Sequence, residues 1–124
     1  MTRRPAVAVC GLGVLLHLYT AIFSAEGGVS LFLVGLFLWS CLPYAIAAAM
    51  ALRPRLRVLA LGAATASLVG DCYMHYAVFI APKGSTAALG LLFMPLWNLC
   101  AVGPAGVVLA WGGSKLWPGA SNAS

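Results

Sequence analysis

Long apolar runs separated by short polar breaks occupy most of the 124-residue chain. The pattern predicts four helices, over residues 5–24, 29–52, 58–80 and 87–111. A helix of about 20 residues rises about 30 Å, which is the thickness of the hydrocarbon layer of a membrane. We therefore predict an all-α fold, an integral membrane four-helix bundle in up-down-up-down order.

Polar breaks and prolines divide these runs. Residues 26–28 and 81–84 are expected to form two tight outer turns, and residues 53–57 an inner loop. Three prolines lie inside predicted helices, at Pro43, Pro95 and Pro104. Each removes one backbone hydrogen bond, so we expect a bend in the second helix and interruptions in the fourth.

Basic residues lie mainly on one side of the four runs. Six of the seven do so: Arg3, Arg4, Arg53, Arg55, Arg57 and Lys115. Loops rich in Lys and Arg stay in the cytoplasm, so we expect both termini and the arginine-rich loop there. The whole chain, 1–124, is expected to be one transmembrane domain, with a short basic N-terminus and a disordered C-terminal tail from about residue 118.

The first run also resembles a secretory signal peptide, since it follows a basic start. Its apolar stretch of about 18 residues exceeds the usual length of about 7–15, and Phe23 is large for a position before a cleavage site. We therefore interpret it as a retained helix.

Composition supports a lipid environment. Hydrophobic residues make up 63% of the chain and charged residues 7%, and the mean hydropathy is +1.01. A soluble domain of this size leaves too much of its chain exposed to hide so much apolar surface. The expected partners are the lipid bilayer and either a second copy or another membrane protein. Nucleic acid is not expected, because the basic residues flank apolar runs without interleaved aromatic residues.

Catalytic and cofactor motifs do not stand out in the sequence. The four cysteines lie in different apolar runs without a C-x-x-C pair, as small buried side chains would. The two carboxylates, Glu26 and Asp71, are expected at different depths, so no paired-acid mechanism is predicted. We expect a protein that is not an enzyme, with no cofactor and no metal site.

Small residues recur in the third run. Gly62, Ala66 and Gly70 are spaced four apart and share one helical face. Close approach of small residues favours association of helices in lipid. This spacing predicts that the third helix lies centrally and packs tightly against a neighbour, although chance in a chain rich in Ala and Gly remains an alternative.

Asp71 is the most informative polar residue. It is expected about 14 Å inside the outer end of its helix, near the bilayer centre, where a charge needs a partner. His75 and Ser67 lie on the same helical face. His17 and Asn98, on the first and fourth helices, are expected to complete a polar pocket.

Three interpretations of these residues stay open. The first is a structural role, in a small multi-pass protein that acts through helix–helix association as an accessory or oligomeric component. The second is an oligomeric transporter or a proton or solute channel that uses Asp71 and His75. The third is a metal or haem site on His17 and His75.

Part of the second half resembles a group of proteins. The similar segments are Gly70-Asp71-Cys72-Tyr73-Met74-His75-Tyr76, then Pro82 with Ser85-Thr86-Ala87-Ala88-Leu89, then Phe93-Met94-Pro95-Leu96-Trp97-Asn98. Over residues 70–106 the chain resembles small uncharacterised four-span proteins of the bacterial inner membrane. The resemblance implies a multi-pass location in the cell inner membrane and assigns no role to any residue.

Overall fold

The computed structural model describes residues 2–23, 30–81, 84 and 87–117. The predicted outer turn at residues 26–28, most of the second outer turn, and the predicted disordered tail lie outside the described residues. Five α-helices are present in the described part: α1 (Arg3–Phe23), α2 (Leu31–Ala51), α3 (Arg57–His75), α4 (Ala87–Trp97) and α5 (Gly103–Leu116).

Three short helical turns connect or extend these α-helices. A 3-10 turn, Pro54–Leu56, precedes α3, and a wider π-helical turn, Tyr76–Ile80, follows it. A second π-helical turn, Asn98–Val102, joins α4 to α5. The prediction of four helices long and apolar enough to cross a membrane is confirmed: they are Arg3–Phe23, Leu31–Ala51, Pro54–Ile80 and Leu89–Leu116.

The helix ends agree with the approximate predicted ends to within two residues, except at the end of the fourth span. That span continues to Leu116, beyond the predicted end at about residue 111. Two glycines, Gly112 and Gly113, precede that end, and glycine weakens a helix by only about 1 kcal/mol per residue without breaking it. The amide of Trp117 closes the last turn by donating to the carbonyl of Gly113, at 3.0 Å.

The prolines are accommodated differently in the two spans that contain them. α2 continues through Pro43, whereas the fourth span widens between Pro95 and Pro104. In the widened turn the amide of Gly103 donates to the carbonyl of Asn98. A Cβ at position 103 would lie 2.5 Å from that carbonyl oxygen, so the turn requires glycine there.

α3 is the centre of the bundle. It packs against α1, α2 and α5, while α1 and the fourth span occupy opposite corners. Ala6, Ala51 and Ala60 form one buried cluster, which joins the start of α1, the end of α2 and the start of α3. The six basic residues of the sequence pattern therefore lie at one end of the bundle, which we call the basic end; the opposite end is the distal end.

The backbones of α3 and α5 approach each other closely at a pair of glycines. A Cβ on Gly62 would overlap the carbonyl oxygen of Gly106, and one on Gly106 would overlap that of Gly62. Ala66 lies beside the same contact, and a Cβ on Gly70 would lie 2.6 Å from the Cε atom of Met94. Gly62, Ala66 and Gly70 thus face the fourth span along its length.

Candidate functional site

Asp71 lies at the middle of the bundle and is only 1% exposed. It is on the face of α3 that also carries Ala60, Ala64 and Ser67, all of them buried. Burial of a carboxylate is costly unless hydrogen bonds replace its lost water. The neighbouring spans supply those hydrogen bonds.

Each of the other three spans contributes one side chain to the Asp71 carboxylate. The Tyr44 hydroxyl of α2 donates to Oδ2 at 2.5 Å, and His17 Nε2 of α1 lies 3.0 Å from the same oxygen. The Asn98 amide Nδ2, at the start of the second π-helical turn, donates to Oδ1 at 2.9 Å. We call these four residues the Asp71 centre. An ionised carboxylate only accepts hydrogen bonds, so it suits the Tyr44 and Asn98 donors, and it suits the His17 tautomer that carries its hydrogen on Nε2.

His75 lies beside this centre without contacting the carboxylate. Its Nδ1 is 2.7 Å from the backbone carbonyl oxygen of Asp71, one helical turn earlier. Its Nε2 is 2.7 Å from the Thr20 hydroxyl of α1. The sequence placed His75 within reach of Asp71, and the structure shows that the contact is with the main chain.

Thr20 has one hydroxyl hydrogen and two potential acceptors. Its Oγ1 lies 3.0 Å from the Leu16 carbonyl oxygen as well as 2.7 Å from His75 Nε2. If the hydroxyl donates to Leu16, both His75 nitrogens face acceptors and the imidazole carries two hydrogens. If it donates to Nε2, the imidazole is neutral. The two arrangements differ by one proton on His75.

The two imidazole rings are neighbours. The ring centroids of His17 and His75 are 5.5 Å apart, and the planes are tilted by 55°. A small cavity of about 40 Å³ lies next to them, lined in part by Thr20 and Ser40. About 10–15 Å³ holds one water molecule, so this cavity is large enough for water.

The remaining predicted site residue, Ser67, is buried but lies apart from the Asp71 carboxylate. It lines a cleft of about 410 Å³ between α2 and α5, together with mainly apolar side chains. Asn98 borders both the Asp71 centre and the cleft: its Nδ2 donates to Asp71, and Asn98 also lines the cleft. The structure therefore brings together His17, Asp71 and Asn98, places His75 next to them, and leaves Ser67 one turn away on the same buried face of α3, where it lines the cleft.

Sequence reasoning missed Tyr44 and Thr20. Tyr44 follows Pro43 in an alanine-rich stretch, and it is one of the largest fully buried side chains. A buried phenol needs a hydrogen-bond partner. The position of Tyr44 far from either end of an apolar run was therefore a usable signal for a polar contact inside the bundle. Thr20 carried no comparable signal, because a threonine hydroxyl in a helix can bond the carbonyl four residues earlier, as it does here.

The fit of a metal to these histidines is poor. Among the residues that the structure describes, no group of three or more His, Cys, Asp or Glu side chains is arranged to hold a metal ion. Both histidine Nε2 atoms have protein partners, Asp71 and Thr20. A metal bound there would have to displace both.

No known family model, no curated protein and no solved structure matches the chain.

Proposed function

We propose that this chain is a multi-pass protein of the bacterial inner membrane, which crosses the bilayer four times with both termini in the cytoplasm. It acts without catalysis, through contacts between its helices and those of a second copy or another membrane protein. The Asp71 centre holds its four spans in register.

The outer surface of the bundle supports a membrane location. Large apolar side chains cover it, among them Leu31, which is 89% exposed, and Leu109, which is 76% exposed. In water such a surface would cause aggregation, whereas lipid is a suitable solvent for it. The basic residues at one end support a cytoplasmic location of that end.

One observation carries the structural role of the polar residues. Each of the other three spans places one side chain at the Asp71 carboxylate: the Tyr44 hydroxyl, the Asn98 amide and the His17 Nε2 atom are all directed at it. A carboxylate whose hydrogen bonds are used internally stabilises a single arrangement of the helices. Such a network specifies which faces meet, a task that non-directional apolar contacts perform poorly.

Asp71→Asn tests this role, because it keeps the shape of the side chain and replaces one acceptor oxygen by a donor. We expect a loss of about 2 kcal/mol in the free energy of unfolding in detergent, with no change in proton flux when the protein is reconstituted in vesicles. Val69→Thr, on the exposed face of the same helix, is the matched control and should leave both unchanged.

Topology needs a separate experiment. A variant lacking the native cysteines and carrying Arg55→Cys should react with an impermeant thiol reagent only after the cytoplasmic membrane is opened. Labelling of intact spheroplasts would contradict the proposed orientation.

The contact between Thr20 and His75 favours a second candidate, proton or solute transfer by an oligomer. Two imidazoles and a hydroxyl lead from Asp71 towards the distal end, beside the cavity of about 40 Å³. Histidine is suited to such a relay because it changes charge near physiological pH. If vesicles containing the protein dissipate a pH gradient, and Asp71→Asn abolishes this without altering the fold, the second candidate replaces the first.

A further inference from the structure

The cleft between α2 and α5 results from two helices that separate towards the basic end. In the distal half α2 packs against α4, where the Trp39 indole donates to the Leu92 carbonyl oxygen at 3.1 Å. No comparable packing joins α2 to α5 in the described residues. α3 closes the back of the resulting space with Ala63 and Ser67, and the front opens onto the lipid-facing surface.

The walls of this cleft are apolar and its volume is of the order of one lipid acyl chain. The α2 wall consists of Pro43, Ile46, Ala47 and Met50, and the α5 wall of Pro104, Val107 and Val108. The volume is about 410 Å³.

Basic residues follow both walls along the chain, towards the basic end of the bundle. Arg53 follows Met50 by three residues, and its amide donates to the Met50 carbonyl oxygen at 3.0 Å. Lys115 follows Trp111 and Val108 at helical spacing, and its Nζ lies 6.0 Å from the centre of the Trp111 ring. Both cations are exposed, and neither forms a salt bridge within the described residues.

We propose that the cleft binds one anionic phospholipid of the cytoplasmic leaflet, with an acyl chain between α2 and α5 and its phosphate between Arg53 and Lys115. This inference rests on the proposed insertion of the chain with its basic end in the cytoplasm. Charge complementarity decides for an anionic lipid over a zwitterionic one. The indole of Trp111 would lie at the headgroup level, as indoles prefer.

Native mass spectrometry of the full chain, released from vesicles of equal phosphatidylglycerol and phosphatidylcholine, tests the proposal. We expect one retained phosphatidylglycerol per chain. Arg53→Gln combined with Lys115→Gln should lower the ratio of retained phosphatidylglycerol to phosphatidylcholine by roughly thirtyfold, since each of the two basic residues adds about 1 kcal/mol of attraction near an anionic surface. Arg3→Gln with Arg4→Gln is the matched control, because α1 lies at the corner opposite the fourth span; the control should retain the preference.

A steric variant tests the location of the acyl chain. Val108→Trp fills the cleft and should abolish retention, whereas Leu109→Trp, on the neighbouring exposed face, should not. Unchanged retention in Val108→Trp, or an unchanged lipid ratio in the double glutamine variant, would overturn the proposal. So would a second copy of the chain in the cleft, seen as a lipid-independent dimer that Val108→Trp dissociates.

The experiment separates this proposal from the one on which it depends. Resistance of the vesicle-bound protein to carbonate extraction reports on membrane insertion. A protein that is extracted refutes the membrane location, whereas an inserted protein with no lipid preference refutes only the lipid site.

Discussion

The two halves of the bundle are held together by different means. At the basic end, small residues allow backbones to touch, as Gly62 and Gly106 do, and the Ala6, Ala51 and Ala60 cluster is fully buried. In the middle and the distal half, directional hydrogen bonds at Asp71 and His75 join side chains of neighbouring spans. Shape therefore fixes the distance between helices at one end, while polar contacts fix their rotation at the other.

The largest loss of stability is expected from a substitution at the basic end. Gly62→Leu places a side chain against the Gly106 carbonyl oxygen, a backbone atom that cannot move aside cheaply. We expect a loss of about 3 kcal/mol or more in the free energy of unfolding, because overpacking typically costs about 1–3 kcal/mol even where side chains can adjust. Unfolding in mixed micelles of increasing SDS content measures it. Gly11→Leu is the control, since nothing lies within 4 Å of a Cβ there.

A smaller loss is expected where the two halves meet. Gly13 of α1 faces the ring of Tyr44, and a Cβ at position 13 would overlap that ring. Gly13→Ala should therefore displace the Tyr44 hydroxyl from Asp71 and cost about 1–3 kcal/mol. Gly11→Ala, two residues away, should be neutral. Equal stability of the two variants would show that the phenol position is not constrained by α1.

Removing a single hydrogen bond should have a still smaller effect. Tyr44→Phe deletes the donor to Asp71 and keeps the ring, so we expect a loss of about 1 kcal/mol. The reason is that Asp71 keeps its contacts with His17 and Asn98. A double-mutant cycle with Asp71→Asn measures the coupling, and a coupling of zero would contradict a shared network.

The smallest effect is expected at the distal end. Thr20→Val removes the hydroxyl next to His75 with little change in shape, and hydrogen bonds between membrane helices contribute about 0.6 kcal/mol on average. The fold should be nearly unchanged. The His75 ring signals in an NMR spectrum should nevertheless shift, because Nε2 loses its partner. Unchanged signals would contradict the contact between the Thr20 hydroxyl and His75 Nε2.

The difference between the two halves of the bundle also explains which features the sequence could predict. Apolar length sufficed for the four helices, because uninterrupted apolar runs of about 20 residues are typical of helices that can cross a bilayer. Four-residue spacing sufficed for the small-residue face of α3. The identity of Gly106 as the partner of Gly62 could not be predicted, since the second π-helical turn changes the rotation of α5 relative to α4. Periodicity within either helix carries no information about that change.

The polar residues were predictable by type but not by contact. A buried carboxylate needs partners, so an association of Asp71 with His17 and Asn98 could be expected from their depth. That His75 would contact the main chain, and that Tyr44 would supply the shortest hydrogen bond, depends on the rotation of α2 and α3 about their axes. Packing between the helices sets that rotation, and the position of a residue along its own helix does not determine it.

The wide turn at residues 98–102 has a consequence for how this chain can change. A π-helical turn holds one more residue than an α-helical turn. It therefore adjusts the angle about the helix axis at which Gly106 points relative to Asn98. Point substitutions in that stretch leave the adjustment in place. Deletion of one of residues 99–102 would turn the bond from the Gly103 amide to the Asn98 carbonyl into an ordinary α-helical one. The turn can therefore lose one residue while Gly106 and Lys115 keep their present directions.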